Sequence, residues 1–261
     1  MDVTGSMGEW SKIIYDKMPM LYGQIIMQGY LPDPAISFAA VGDAPMGDSA
    51  PIQICDFAQG DTLDNWLTKL YLEGGGKGNG QESYTLIALA YLELSSFTNL
   101  DGKPFFFFTG DEDFFDRVED WEIERFIGGT AKGEPSMDIL RRLREMFHVF
   151  LVHKPYSFGS EENKIVLRWS RALGEERVLP LDDPKAVVDT ILGAIALQSG
   201  ARDLDSYTVD LLGRGQTSKR VADVAGALSG FSKSSALVPV NTSGILPTSS
   251  GTKRTSKTKR L

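Results

Sequence analysis

Of the residues that build disulfides and most transition-metal sites, the chain has one cysteine and two histidines. A single thiol cannot close an intramolecular disulfide, and without a second cysteine a thiolate zinc site is excluded. Cys55 lies in the apolar run Pro51-Ile52-Gln53-Ile54-Cys55, the setting of a buried thiol acting as a small hydrophobe, and it suits a reducing compartment. His148 and His153 flank an apolar run without metal-ligand spacing, which assigns them to structure. Long hydrophobic runs are also missing. Phe105-Phe106-Phe107-Phe108 is far too short for a membrane-spanning helix and is followed at once by Thr109-Gly110-Asp111. No basic and apolar signal sequence opens the chain, so a soluble cytoplasmic protein with no membrane partner is expected.

Positive charge is scarce in the body of the chain. The formal net charge is −8, yet the six charges after residue 231 are all positive: Lys233, Lys253, Arg254, Lys257, Lys259 and Arg260. The remainder therefore carries −8 minus 6, or −14. An acidic body repels a nucleic-acid backbone, leaving only the basic tail to hold one, and nucleic acid is not the expected partner.

What is present is an alternation of short apolar runs with longer amphipathic segments across a chain of 261 residues. That rhythm predicts an α/β domain with a mostly parallel central sheet and helices on both faces. Strands are expected at 35–41, 51–57, 103–109, 147–153 and 177–181, and helices at 61–72, 81–97, 137–146, 161–173 and 184–198. A first long helix over about 6–29 carries the stripe Trp10, Ile13, Ile14, Met18, Leu21, Ile25 and Ile26, bent at Pro19. The main domain is expected over 1–200, with helices at 205–212 and 217–228 within a packed segment 201–231. Residues 232–261, rich in Ser, Thr, Lys, Gly and Pro, read as a disordered basic tail.

Three segments could carry chemistry. In Asp2-Val3-Thr4-Gly5-Ser6-Met7, alternate positions of an extended loop present the oxygens of Asp2, Thr4 and Ser6 to one side. Oxygen-only donors suit Mg²⁺ or Mn²⁺. The competing structural reading makes Ser6-Met7-Gly8-Glu9 a capping box. The second segment is the loop Gly74-Gly75-Gly76-Lys77-Gly78-Asn79-Gly80-Gln81-Glu82-Ser83, where Lys77 is followed by Gly78, unlike a phosphate-binding loop. The third is the strand ending Thr109-Gly110-Asp111-Glu112-Asp113, and ligands of open α/β sheets gather at such strand ends. Asp43, after the strand ending in Val41, reads as a turn-former.

The Asp-x-Thr-x-Ser motif, in this order with the glycine loop and the acidic strand end, resembles the von Willebrand factor A (vWA) domain and its metal-ion-dependent adhesion site. The resemblance implies a Rossmann-like fold and a Mg²⁺ or Mn²⁺ ion held by Asp2, Thr4, Ser6 and Asp111. Glu112 and Asp113 stand as fallbacks to Asp111. From the glycine loop, which lacks the family's threonine, Asn79, Gln81, Glu82 and Ser83 are the candidate ligands, with Glu82 favoured. It also implies a buried strand running directly into the Asp2 loop, so that the first strand is expected to be truncated here. A protein partner offering an Asp or Glu carboxylate follows, as does a place beside an ATP-driven remodelling machine or within a multi-protein assembly. The alternative is a haloacid-dehalogenase-like phosphatase, against which stand Thr4, where a second acid belongs, and the lack of an assignable lysine.

Overall fold

The computed structural model describes residues 1–75, 78–96, 100, 102–155 and 159–236. A single helical turn at Gly5–Met7 leads into α1 (Glu9–Lys17) and α2 (Pro19–Gln28), then β1 (Ala39–Val41), β2 (Ile52–Ile54), α3 (Gly60–Leu67), β3 (Gln81–Glu82), α4 (Tyr84–Leu94) and β4 (Phe105–Gly110). There follow β5 (Asp113–Phe114), α5 (Asp120–Phe126), α6 (Ser136–Met146), β6 (His148–His153), α7 (Gly159–Leu173), β7 (Val178–Pro180), α8 (Val187–Gln198), α9 (Leu204–Gly213) and α10 (Ser218–Ala236).

The strands β4, β6 and β7 form a parallel sheet in that order, with Phe105 opposite His148 and Gly110 opposite His153. β1 and β2 pair antiparallel. The segment Met1–Val3 joins the two sheets. Val41 N donates to Met1 O at 2.9 Å and Val3 N to Val41 O at 3.1 Å, in parallel register, while Asp2 N donates to Thr109 O at 2.9 Å. The spatial order is thus β2, β1, Met1–Val3, β4, β6, β7.

Period-two alternation along the strands covers both faces with helices. Phe150 and Val152 of β6 join one core with α1, α2, α8, α9 and α10; Val149 and Leu151 join a second with α4, α6 and α7. Phe107 stacks on Phe150 with ring centroids 5.2 Å apart, and Phe231 of α10 meets the edge of Phe150 at 5.1 Å. Behind the opposite face, Trp169 packs against Tyr84, Phe108 and Phe114. The architecture is mixed α/β, as the apolar rhythm predicts. Among the described residues no helix is long and apolar enough to cross a membrane.

Several boundaries differ from the sequence reading. The expected first helix divides at Pro19, and Gly8, with φ +53°, separates it from the Ser6 turn. The expected strand 35–41 narrows to β1 plus an isolated bridge between Ile36 and Ala58. The helix expected from residue 81 starts at Tyr84, because Gly78 and Gly80 take positive φ and deliver Gln81 and Glu82 into a short parallel pairing with β5. Its expected end at Phe97 lies outside the described residues. Part of the tail expected from 232 is helical: α10 continues to Ala236, anchored by Phe231 against Phe150 and Arg177. Residues 237–261 of that tail lie outside the described residues. The segment 201–231 shares the core of the main domain, since Leu228 and Tyr207 close over Gly193 of α8.

A cavity of about 620 Å³ opens between β1 and β4 in line with Met1, with Ala39, Phe105, Phe107, Tyr91 and Ile191 among its walls. His148 N and Lys154 N donate to Pro104 O and Gly110 O, so ladder alternation turns the backbone groups of Phe105 and Phe107 toward this cavity. A short apolar strand joined to Met1 is expected to fill it, raising the melting temperature by about 5 °C or more. A Gly-Ser extension of equal length should leave the melting temperature unchanged; equal melting for the two extensions would contradict this.

Candidate metal centre

Because β1, Met1–Val3, β4 and β6 run in one direction, their carboxyl ends deliver Asp43, Thr4, Ser6, Asp111, Glu112 and Lys154 to one edge. Asp2 is fully buried. Its Oδ1 accepts from Thr4 N at 2.9 Å and from Thr4 Oγ1 at 2.6 Å, and its Oδ2 accepts from Tyr84 Oη at 2.6 Å. Asp111 is equally buried; its Oδ1 accepts from Ser6 Oγ at 2.9 Å and its Oδ2 from Lys154 Nζ at 2.6 Å. Lys154 Nζ also donates to Ser6 O at 2.6 Å. Ser6 is therefore not the cap of a helix but the counterpart of Asp111 across the sheet edge.

A hydroxyl has one proton to give. Thr4 Oγ1 stands 2.6 Å from Asp2 Oδ1 and Ser6 Oγ 2.9 Å from Asp111 Oδ1, and the two hydroxyls, each with lone pairs to spare, approach at 3.3 Å, where either can donate to the other. That arrangement favours a cation. Beside it lies Glu82, only 3% exposed, whose Oε2 has no hydrogen-bond partner. Glu82 lies against Thr4, and Glu112 lies against both Glu82 and Ser6. Among the described residues no group of three or more His, Cys, Asp and Glu is arranged to hold a metal. The donor set is instead hydroxyls flanked by carboxylates, which fits a hard divalent ion.

The remaining candidates separate cleanly. In the glycine loop, Asn79 donates to Asp43 Oδ2 at 2.7 Å, Gln81 Nε2 to Phe114 O at 3.1 Å, and Ser83 Oγ accepts from Ala44 N at 2.9 Å. Of the four, Glu82 is the one set against Thr4. Lys77 lies outside the described residues. Asp113 is drawn away by Arg168 at 3.2 Å, whereas Glu112 joins the cluster. Asp43 shapes its turn by accepting from Met46 N at 3.1 Å. His153 turns its Nε2 to Glu162 at 3.0 Å, and burial, with Lys103 and Arg177 nearby, pushes His148 down to about 4.

Two residues escaped the sequence reading. Tyr84 opens α4 and reaches Asp2 only because Gly110 has no side chain: a Cβ there would stand 1.8 Å from Tyr84 Oη. Lys154 follows β6 immediately, and its position after an apolar strand is the signal that could have found it.

Burial, reinforced by neighbouring acids, raises three carboxyls. Asp2 is pushed up to about 6 by desolvation, with hydrogen bonds from Thr4 and Tyr84 opposing and Asp111 adding to the rise. Glu112 rises to about 7 through desolvation and then Asp111 and Asp2. Glu82 rises furthest, through desolvation and then Asp2, Glu112 and Asp43. Groups that hold protons more tightly when folded make the folded state bind more protons than the unfolded one, so stability falls as pH rises. The window opens near the unfolded value of about 4 and runs through the folded values of 6 and 7. In chelator, the protein should melt lower at pH 8 than at pH 5.5, and Glu82→Gln should flatten that slope; a flat wild-type profile would contradict the assignment. Gly110→Ala should cost about 1–3 kcal/mol in urea unfolding by displacing Tyr84 from Asp2.

Neither a family model, nor a curated protein, nor a solved structure matches this chain.

Proposed function

We propose that the chain is a vWA-type, divalent-metal-dependent protein-binding domain rather than an enzyme. The strand order supports the Rossmann-like part of this reading: with Met1–Val3 as the first strand, β2, β1, Met1–Val3, β4, β6, β7 is the doubly wound order 3-2-1-4-5-6. In such sheets ligands bind at the carboxyl ends where the order reverses. Here the reversal falls between Met1–Val3 and β4, beside Asp2, Thr4, Ser6 and Asp111.

The observation that carries the proposal is the convergence of the Thr4 and Ser6 hydroxyls, 3.3 Å apart, beside the unpartnered oxygen of Glu82. Thr4 and Ser6 would hold Mg²⁺ or Mn²⁺ directly, Asp2 and Asp111 would orient those hydroxyls, and Glu82, which burial holds protonated without the ion, would supply negative charge once a bound ion drives its proton off. A bound divalent ion offers a Lewis-acidic position for an anionic oxygen, and the partner proposed is a protein presenting an Asp or Glu carboxylate. Assembly beside an ATP-driven remodelling machine, in the cytoplasm, follows from the vWA resemblance and accords with the single buried thiol of Cys55.

The phosphatase reading gains one observation, the lysine at the site, Lys154. Against it, both Asp2 oxygens accept hydrogen bonds and the residue is fully buried, which leaves a phosphate no open approach to its carboxylate. A phosphatase screen with Mg²⁺ separates the two readings; turnover lost in Asp2→Asn would overturn the binding proposal. Calorimetric titration of Mg²⁺ and Mn²⁺ should give saturable binding that is lost in the Asp2→Ala, Ser6→Ala double variant. A folded wild-type protein that takes up neither ion would end the metal-dependent reading.

A further inference from the structure

Among the described residues, Lys154 is the one cationic side chain ion-paired with the cluster formed by Asp2, Glu82, Asp111 and Glu112. Its backbone is fixed, since Lys154 N donates to Gly110 O at 2.9 Å as the last rung between β4 and β6. Its side chain is not sealed in: it is 19% exposed, against complete burial for the Asp111 carboxylate it touches. The ammonium spans two elements, holding Ser6 O of the first loop and Asp111 Oδ2 after β4, both at 2.6 Å.

Those contacts do for the cluster what a metal ion would do. They bring positive charge to the buried Asp111 and tie the Ser6 turn to the sheet edge. A lysine does this as a compact charge on a flexible four-carbon stem, with a route to solvent. A divalent ion placed between Thr4, Ser6 and the acids would stand close to that ammonium, and two cations in so dry a place repel each other strongly.

Resting on the metal-binding reading above, we propose that Lys154 is a tethered counter-cation that holds the site assembled when no metal is bound and competes with the ion for it. Metal entry displaces the ammonium toward solvent, so Lys154 sets the affinity of the site and suppresses occupancy at low metal. The loop keeps its shape in both states, because one cation is exchanged for another.

Removing the charge while keeping the stem tests this. Lys154→Met should melt lower than wild type in chelator, recover with excess Mg²⁺, and bind Mg²⁺ about tenfold more tightly, a coupling of ordinary size. Lys154→Arg, which keeps the charge, should bind no more tightly than wild type. Equal or weaker binding by folded Lys154→Met would overturn the proposal and make Lys154 a positioning residue for Asp111. Should Lys154→Met fail to fold, the wild-type protein answers by amine acylation and peptide mass spectrometry. Lys154 should become more reactive on Mg²⁺ saturation; unchanged or lower reactivity would overturn the competition. If folded wild type and Lys154→Met both ignore Mg²⁺ and Mn²⁺, the metal reading itself fails, an outcome distinct from equal binding by the two.

Discussion

A carboxylate sealed from water must be hydrogen bonded or neutralised, because an isolated buried charge is prohibitively costly. Asp2 is sealed completely, and the surrounding chain is arranged to meet that demand. Thr4 folds back to give it both a backbone and a hydroxyl donor, Tyr84 crosses from α4 to give a third, and Gly110 stays bare so that the phenol can pass. The Ser6–Asp111–Lys154 chain repeats the solution one step further along the edge. Both chains bring hydroxyl oxygens, Thr4 Oγ1 and Ser6 Oγ, to within 3.3 Å of each other at the sheet edge.

The sheet makes this arrangement possible by being apolar on both faces. Consecutive phenylalanines in β4 alternate between the two cores, Phe105 and Phe107 toward α8 and Phe106 and Phe108 toward α4 and α6. Helices can then clamp the strands from both sides, which fixes the strand ends closely enough for short hydrogen bonds between Thr4, Ser6 and Asp111. At the edge the polarity inverts within four residues, from Phe108 to the buried acids Asp111 and Glu112. Low dielectric around Glu112 pushes its carboxyl up, and the same low dielectric strengthens the attraction of any cation that reaches the cluster.

How much of this was legible in the chain differs from element to element. The four-phenylalanine run and the His148–His153 segment announced themselves as β4 and β6 because fully buried strands are continuously apolar. Asp2, Thr4, Ser6 and Asp111 were legible as candidates from the Asp-x-Thr-x-Ser spacing and the strand-end rule, although Ser6 lies in the helical turn Gly5–Met7 and not in the extended loop expected for it. The glycine loop misled the helix boundary, since two residues that look like a helix start are captured by Asp113 and Phe114 some thirty positions away. That pairing is what sets Glu82 against Thr4, and no local pattern reports it.

By itself the sequence determined the α/β class, the covering of a parallel sheet on both faces, and the residue types at the strand ends. These follow from hydrophobic period and composition, which act over a few neighbouring residues. Only the tertiary structure decided which oxygens meet: Ser6 with Asp111 across 105 positions, Tyr84 with Asp2 across 82, and Lys154 with Ser6 across 148. Such contacts depend on strand order and on the absence of a Cβ at Gly110, and those are properties of how distant segments pack, not of any segment read alone.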